Sequence, residues 1–271
     1  MIDVLIIVGV GWMALIAVMY FGQRRLMYFP SHAEPHPHEH GLPQMESIRI
    51  GVGDAVEILA WWHPPVDETR PVLVYFHGNA GHIGERDFKI RDIVEAGYGV
   101  LLATYRYNAG AGGKPSEEAL LADARSAIEF VKEHGIPEQR IVLYGESLGS
   151  GIAVAMAAEH DVAGLILETP YSRVVDVAHS RYWFAFAKWL VHDRYDSLAR
   201  IGKVRAPILM FHGDADRTIP IHFAEKLYDA APEPKEAHFF PGGTHIDLYD
   251  HGAGELVMDF LDRCSTRLRA A

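Results

Sequence analysis

A single cysteine, Cys264, is all the thiol chemistry that this 271-residue chain offers. It rules out an intrachain disulfide and any Cys-x-x-Cys metal or redox site, and it fits a reducing compartment. Positive charge is scarce as well: 25 Lys and Arg stand against 36 Asp and Glu, for a formal net charge of −11. Nucleic-acid binding needs clustered Lys and Arg, so this balance argues against a phosphate-binding surface and a nucleic-acid partner. No His-Glu-x-x-His or comparable zinc spacing occurs. A phosphate loop is missing too. Around Gly110-Ala111-Gly112-Gly113-Lys114, Asn108 and Pro115 stand where such a loop needs a glycine and a hydroxyl residue. That segment reads as a loop ending in Ser116, which caps the next helix, with Glu117 and Glu118 favouring its first turn.

Charge is absent altogether from Val4 to Gly22, a run of about 19 residues. As a helix it reaches roughly 28 Å, close to the ~30 Å hydrocarbon core of a bilayer. Gln23-Arg24-Arg25 follows, then Leu26-Met27-Tyr28-Phe29-Pro30, which reads as an interfacial aromatic segment. A cleaved signal peptide needs a basic stretch before the apolar run and a small-x-small site after it, and neither is present. The run is apolar on all sides, which favours spanning the membrane over lying along it. Arg24 and Arg25 after the span, against Asp3 before it, put the main domain on the cytoplasmic face.

Residues 1–30 are thus expected as a membrane-anchor helix, and 31–44, rich in proline and histidine, as a solvated linker. Its histidines, His32, His36, His38 and His40, are separated by prolines that prevent the helix needed to bring them onto one face. From residue 45 to 271, with 49% hydrophobic residues overall, the chain suits one α/β domain. Two strand candidates, Met45 to Val52 and Val56 to Trp62, come first. Strands and helices then alternate, and the inner strands are continuous Val/Ile/Leu runs, as in a parallel sheet covered on both faces. Pro170 to Val204 interrupts the alternation with Tyr182, Trp183, Phe184, Phe186 and Trp189. It reads as a helical insertion over the sheet, either packed filler or a cap that shapes an acyl or aryl pocket.

The chemistry is expected at Gly145-Glu146-Ser147-Leu148-Gly149, between a β-branched run ending at Tyr144 and an alanine-rich helix. A serine between glycines at a strand–turn–helix junction is lifted off the sheet on a sharp turn, beside unpaired backbone N–H groups. The alternative is a plain helix cap. A serine nucleophile needs a base, itself oriented by a carboxylate, and in this topology the acid and then the histidine follow in chain order. Asp216, deep in the loop after the Pro207–Phe211 strand, is the expected acid, with Asp214 bracing the turn. His245, after Phe239-Phe240-Pro241-Gly242-Gly243-Thr244, is the expected base; His251 lacks a preceding strand and His77 comes too early in the chain. Leu148 N–H and Asn79 N–H, the latter in the loop His77-Gly78-Asn79-Ala80-Gly81, are the expected oxyanion donors.

HGNAG, GESLG, HGDAD and GGTHID, in that order, resemble the α/β-hydrolase superfamily. With the apolar N-terminus, the chain is similar to a branch of membrane-anchored serine hydrolases that includes protein depalmitoylases and bud-emergence-type hydrolases. Depalmitoylase relatives carry N-terminal cysteines for lipid attachment; here a hydrophobic helix stands instead, so the resemblance implies the shared chemistry. The expected fold is a mostly parallel sheet with helices on both faces and a short helical cap at about 170–204. The expected activity is cofactor-free hydrolysis of apolar acyl esters or thioesters, as in a short- to medium-chain carboxylesterase or a monoacylglycerol-type lipase. The alternatives are amide or peptide hydrolysis on the same three residues and a non-catalytic, membrane-tethered scaffold.

Overall fold

The computed structural model describes residues 2–270. Eight strands form one sheet in the order β1-β2-β4-β3-β5-β6-β7-β8. These are β1 (Glu46–Gly51), β2 (Glu57–His63), β3 (Val72–Phe76), β4 (Gly99–Ala103), β5 (Ile141–Glu146), β6 (Gly164–Glu168), β7 (Ile208–Gly213) and β8 (Lys235–Phe240). β1, β2 and β4 pair antiparallel, and every later pairing is parallel. The antiparallel start and the parallel body both follow the expected pattern.

The inner strands are apolar throughout because both faces are covered. Val74, Leu143, Leu165 and Met210 enter one core, while Leu73, Val142, Ile166 and Leu209 enter the other. Alternate residues of one strand point to opposite faces, so two cores require uninterrupted runs.

Helices α2 (Asp87–Glu95), α3 (Glu117–Glu133), α4 (Leu148–Glu159), α8 (His222–Ala230) and α9 (Ala253–Ala270) cover the faces. Ser116 caps α3 by accepting from the Ala119 N–H at 3.1 Å. In α3, Leu120, Leu121, Ala124, Ala127, Ile128 and Val131 supply the buried stripe. In α4 every residue from Leu148 to Ala157 is buried. Its small side chains let it lie close against β5.

Between β6 and β7 the insertion forms α5 (Val174–Tyr182), α6 (Ala187–Leu190) and α7 (Ser197–Ile201). Before the sheet stands α1 (Ile2–Met27), long and apolar enough to cross a membrane and without a fully buried residue.

Two expectations about the N-terminal region are corrected. Tyr28 is not at an interface: it is buried and shares a 2.9 Å hydrogen bond with the Tyr195 hydroxyl. Nor is 31–44 a free linker. Pro35, Pro37 and Leu42 are buried, the Trp61 indole N–H donates to the Pro35 carbonyl at 3.0 Å, and His40 packs on the Trp61 ring. The segment forms only a short helical turn, Pro37–His40, and is held against β2 through Trp61. His32, His36 and His38 remain exposed.

Candidate active site

The site lies beyond the carboxyl ends of β3, β5, β7 and β8. β5 runs directly into the turn at Ser147 and then into α4. Ser147 has φ 51° and ψ −115°, a conformation that costs a non-glycine residue about 1–3 kcal/mol. Tight packing enforces it: a Cβ at Gly149 would meet the Phe76 carbonyl oxygen at 2.0 Å. Ser147 occupies the cap position of α4, yet its hydroxyl caps nothing. It faces His245 instead.

The His245 Nε2 lies 2.9 Å from the Ser147 Oγ, and its Nδ1 lies 2.7 Å from Asp216 Oδ2. The two loops meet because β7 and β8 are neighbours and Gly213 has no side chain. A Cβ there would meet the Gly243 carbonyl at 2.1 Å, where the Ala215 N–H donates at 3.0 Å. Asp216 is buried, and its Oδ1 accepts from the Thr218 and Ile219 N–H groups. Burial pushes its carboxyl up, but the hydrogen bonds with His212 and His245 outweigh this and hold it well below the usual carboxylate range. Asp214 accepts from the Gly242 N–H at 2.7 Å, bracing the turn. His251 lies in a separate turn, 3.9 Å from Asp247.

Asn79 and Leu148 flank Ser147 at the cavity. The Leu148 N–H is the first of α4 and has no intrahelical acceptor. The Asn79 side chain is occupied, donating to the Met27 carbonyl and accepting from the Phe29 N–H. His77 is fully buried, and burial, followed by the nearby Arg86 charge, pushes its imidazole down to about 3.

Beneath the turn lies a charge cluster that the linear reading missed. Glu146 pairs with Arg86 at 2.9 Å and Lys89 at 3.5 Å; Lys89 also donates to both oxygens of buried Glu168 at 2.8 Å. The Tyr75 hydroxyl donates to Glu146 and the Tyr144 hydroxyl to Glu168. The Glu168 carbonyl accepts from the Ser147 N–H at 3.0 Å, so the cluster grips the Ser147 turn from below. Burial pushes Glu146 up, but Lys89 and Arg86 outweigh it and hold the carboxyl well below its usual range. His212 was missed as well: fully buried, its Nε2 lies 2.8 Å from the Ile219 carbonyl and 3.2 Å from Asp216 Oδ2. Its place inside the HGDAD motif was the available signal.

A cavity of about 310 Å³ opens over Ser147. Its cap side is built from small aliphatic side chains, among them Val174, Val177, Ala178, Ala185 and Leu190. The aromatic cap reading is therefore corrected. Of Tyr182, Trp183, Phe184, Phe186 and Trp189, only Tyr182 lines the cavity. Trp183 and Trp189 point outward and are 69% exposed, and Phe186 is 43% exposed, because the inner positions of this short segment fall on Ala185 and Ala187. The other wall comes from α1, which was not foreseen. Arg181 is the only charged side chain in the lining among the described residues; it donates to the Arg217 and Thr218 carbonyls. Among those residues no three His, Cys, Asp or Glu side chains group as a metal site.

The family described as serine aminopeptidase, S33, matches residues 67–199. An uncharacterized protein of Mycobacterium tuberculosis is 33% identical over 98% of this chain and 95% of its own length. The protein bem46 of Schizosaccharomyces pombe is 29% identical over 90% of this chain and 87% of its own. Among solved structures, an esterase of Pyrococcus furiosus superposes with a TM-score of 0.71 at 17% identity, covering 88% of this chain and 98% of its own. Est1E of Butyrivibrio proteoclasticus gives 0.64 at 19% identity over 83% and 99%.

Proposed function

The chain belongs to the α/β-hydrolase family, on its bem46 branch, and from that premise we propose that it is a membrane-anchored serine hydrolase cleaving carboxylic esters of apolar acyl groups. The observation that carries this reading is the hydrogen-bonded line Asp216–His245–Ser147 ending at an apolar cavity. The His245 Nδ1–H donates to ionised Asp216, which leaves the Nε2 lone pair to accept the Ser147 hydroxyl proton. The Ser147 Oγ attacks the ester carbonyl, and the Leu148 and Asn79 N–H groups receive the developing oxyanion, each worth about 2.7–4 kcal/mol. His245 returns the proton to the departing alcohol, leaving an acyl-Ser147 ester. It then takes a proton from water, whose oxygen attacks the acyl carbon and frees the acid and Ser147.

α1 supports the anchor, since it is exposed and uncharged from Val4 to Gly22, and the arginines after it favour the catalytic domain on the cytoplasmic face.

The family description favours a second reading, hydrolysis of an amide at a peptide amino terminus. An α-ammonium group needs a carboxylate partner when it leaves water. Among the described residues the cavity lining holds no Asp or Glu, and its one charged side chain is Arg181. Ester substrates therefore fit better than aminopeptides.

The test is hydrolysis of p-nitrophenyl esters from acetate to palmitate, and of aminoacyl anilides, by detergent-solubilised wild type and Ser147→Ala. Ester turnover lost in Ser147→Ala, together with fluorophosphonate labelling of the wild type, is expected. Ser147-dependent cleavage confined to the anilides would establish the second reading, and neither activity nor labelling would leave a scaffold.

A further inference from the structure

One wall of the cavity over Ser147 is the N-terminal helix. Ile16, Met19, Tyr20, Gln23, Leu26 and Met27 all line it, and their spacing of three and four places them on one face of α1. α1 is held there by specific contacts. The Gln23 amide donates to the Leu190 carbonyl at 3.2 Å and accepts from the His192 N–H at 2.7 Å. Arg24 pairs with Asp193 at 2.9 Å. Further along α1, Tyr20 packs edge-on against His192 and Trp12 against Phe186, with ring centroids 4.7 and 5.3 Å apart.

These contacts set the depth of the cap. Arg24 is the first charge after the apolar run, and Trp12 precedes it by a helical rise of roughly 18 Å. One leaflet contributes about 15 Å of hydrocarbon, half of the ~30 Å core. With α1 across the bilayer, side chains beside Trp12 stand among acyl chains, even when the helix tilts. Phe186 is the side chain beside Trp12, Trp189 packs on Phe186 with ring centroids 6.1 Å apart, and Trp183, three residues before Phe186, is exposed like them. An apolar patch of this kind, continuous with a membrane-spanning helix, is a lipid-facing surface. Lys188, the charge within it, can extend its stem to the headgroups. The cleft between α1 and the cap then opens onto hydrocarbon.

We propose that this cavity takes the acyl chain of a bilayer-resident ester, drawn sideways from one leaflet between α1 and the cap, and that α1 sets the chain length accepted. The inference rests on the reading of the protein as a membrane-anchored ester hydrolase. It also accounts for the absence of Trp183, Phe186 and Trp189 from the cavity, since their surface is used toward lipid.

The full chain in lipid nanodiscs is assayed over the p-nitrophenyl ester series. Met19→Trp fills the α1 side and is expected to lower the palmitate-to-acetate ratio of kcat/KM about tenfold, while Met19→Ala raises it about threefold. Val18→Trp, on the opposite and 70% exposed face, leaves the ratio at the wild-type value. If Met19→Trp depresses every ester alike, Met19→Ala decides; a wild-type ratio in Met19→Ala then overturns the inference. Replacing Trp183 and Trp189 by Ser is expected to lower palmitate turnover in nanodiscs about fivefold relative to the same ester in detergent micelles. Equal losses in both would leave a pocket for dissolved substrates and overturn the bilayer route. Wild type without any Ser147-dependent ester hydrolysis would instead remove the underlying reading, and the inference with it.

Discussion

Asp193 clamps Arg24 across the seam between α1 and the cap: its Oδ2 accepts from Arg24 Nε at 2.9 Å and its Oδ1 from Nη2 at 3.2 Å. The same Oδ1 accepts from the Glu117 N–H at 3.1 Å, so one buried carboxylate ties the N-terminal helix to the start of α3. The two ends of this pair are unequal. Arg24 is half-exposed but Asp193 is buried, so Arg24→Ala strands the carboxylate with the Glu117 N–H alone and is expected to cost about 3 kcal/mol. Asp193→Ala leaves the Glu117 N–H without its acceptor while Arg24 turns to water, and is expected to cost about 1 kcal/mol. Urea unfolding of the two variants in detergent checks this, and equal losses would refute the asymmetry.

The φ of 51° at Ser147 makes a prediction about stability opposite in sign to that about activity. Ser147→Ala keeps a Cβ and hence the strain; it is expected to lose turnover by about ten-thousand-fold or more with little change in Tm. Ser147→Gly is equally inactive but relieves the backbone, and it is expected to be about 1 kcal/mol more stable than Ser147→Ala. A lower Tm for the glycine variant would show that the turn is unstrained.

On the proposed mechanism, His212 acts through Asp216 as a positioning residue. In His212→Leu the carboxylate loses a donor, so it becomes more basic and is held less firmly against His245. The expected result is a fall in kcat of about tenfold with KM little changed, and an acid limb of the kcat/KM profile displaced to higher pH. A merely structural role would reduce the active fraction without moving that limb.

Acid should weaken the fold in two stages. His77 in the folded protein is pushed from 6.5 down to about 3, so below pH 6.5 the unfolded chain binds a proton that the folded chain refuses. Glu146 is depressed from 4.5, so its contribution is complete above that pH and is lost as pH falls through the folded value. The Tm is therefore expected to drift down from pH 6.5 and to fall more steeply below 4.5. Glu146→Gln removes one partner of a buried ion cluster and is expected to cost about 3 kcal/mol at pH 7, with a shallower slope below 4.5. Unchanged slope in the variant would remove Glu146 from the account.

Much of this architecture is local and so is legible in one dimension. β3 and β5 are runs of Val, Leu, Ile and Tyr because they are buried on both faces, and α3 begins where Ser116 can cap it. The order of the motifs places His77, Ser147, Asp216 and His245 beyond the ends of β3, β5, β7 and β8, since each lies in the turn or loop that follows a strand. The choice of Asp216 over Asp214 follows from position in the loop, and the fold brings Asp216 to His245 while Asp214 binds the Gly242 N–H.

Composition and order by themselves thus determined the sheet, the sequence of the site residues along it and the apolar N-terminal helix, because strand pattern, turn chemistry and hydrophobic run length are properties of neighbouring residues. Only the tertiary structure decided which surfaces meet. Lys89 finds Glu168 across 79 positions and Arg24 finds Asp193 across 169, and no local propensity encodes such pairings. The cap aromatics show the limit most clearly. Trp183, Trp189 and Phe186 are as hydrophobic facing a lipid as facing a cavity, so their composition suggested a lining, and only the packing of Ala185 and Ala187 inward turned them out beside α1.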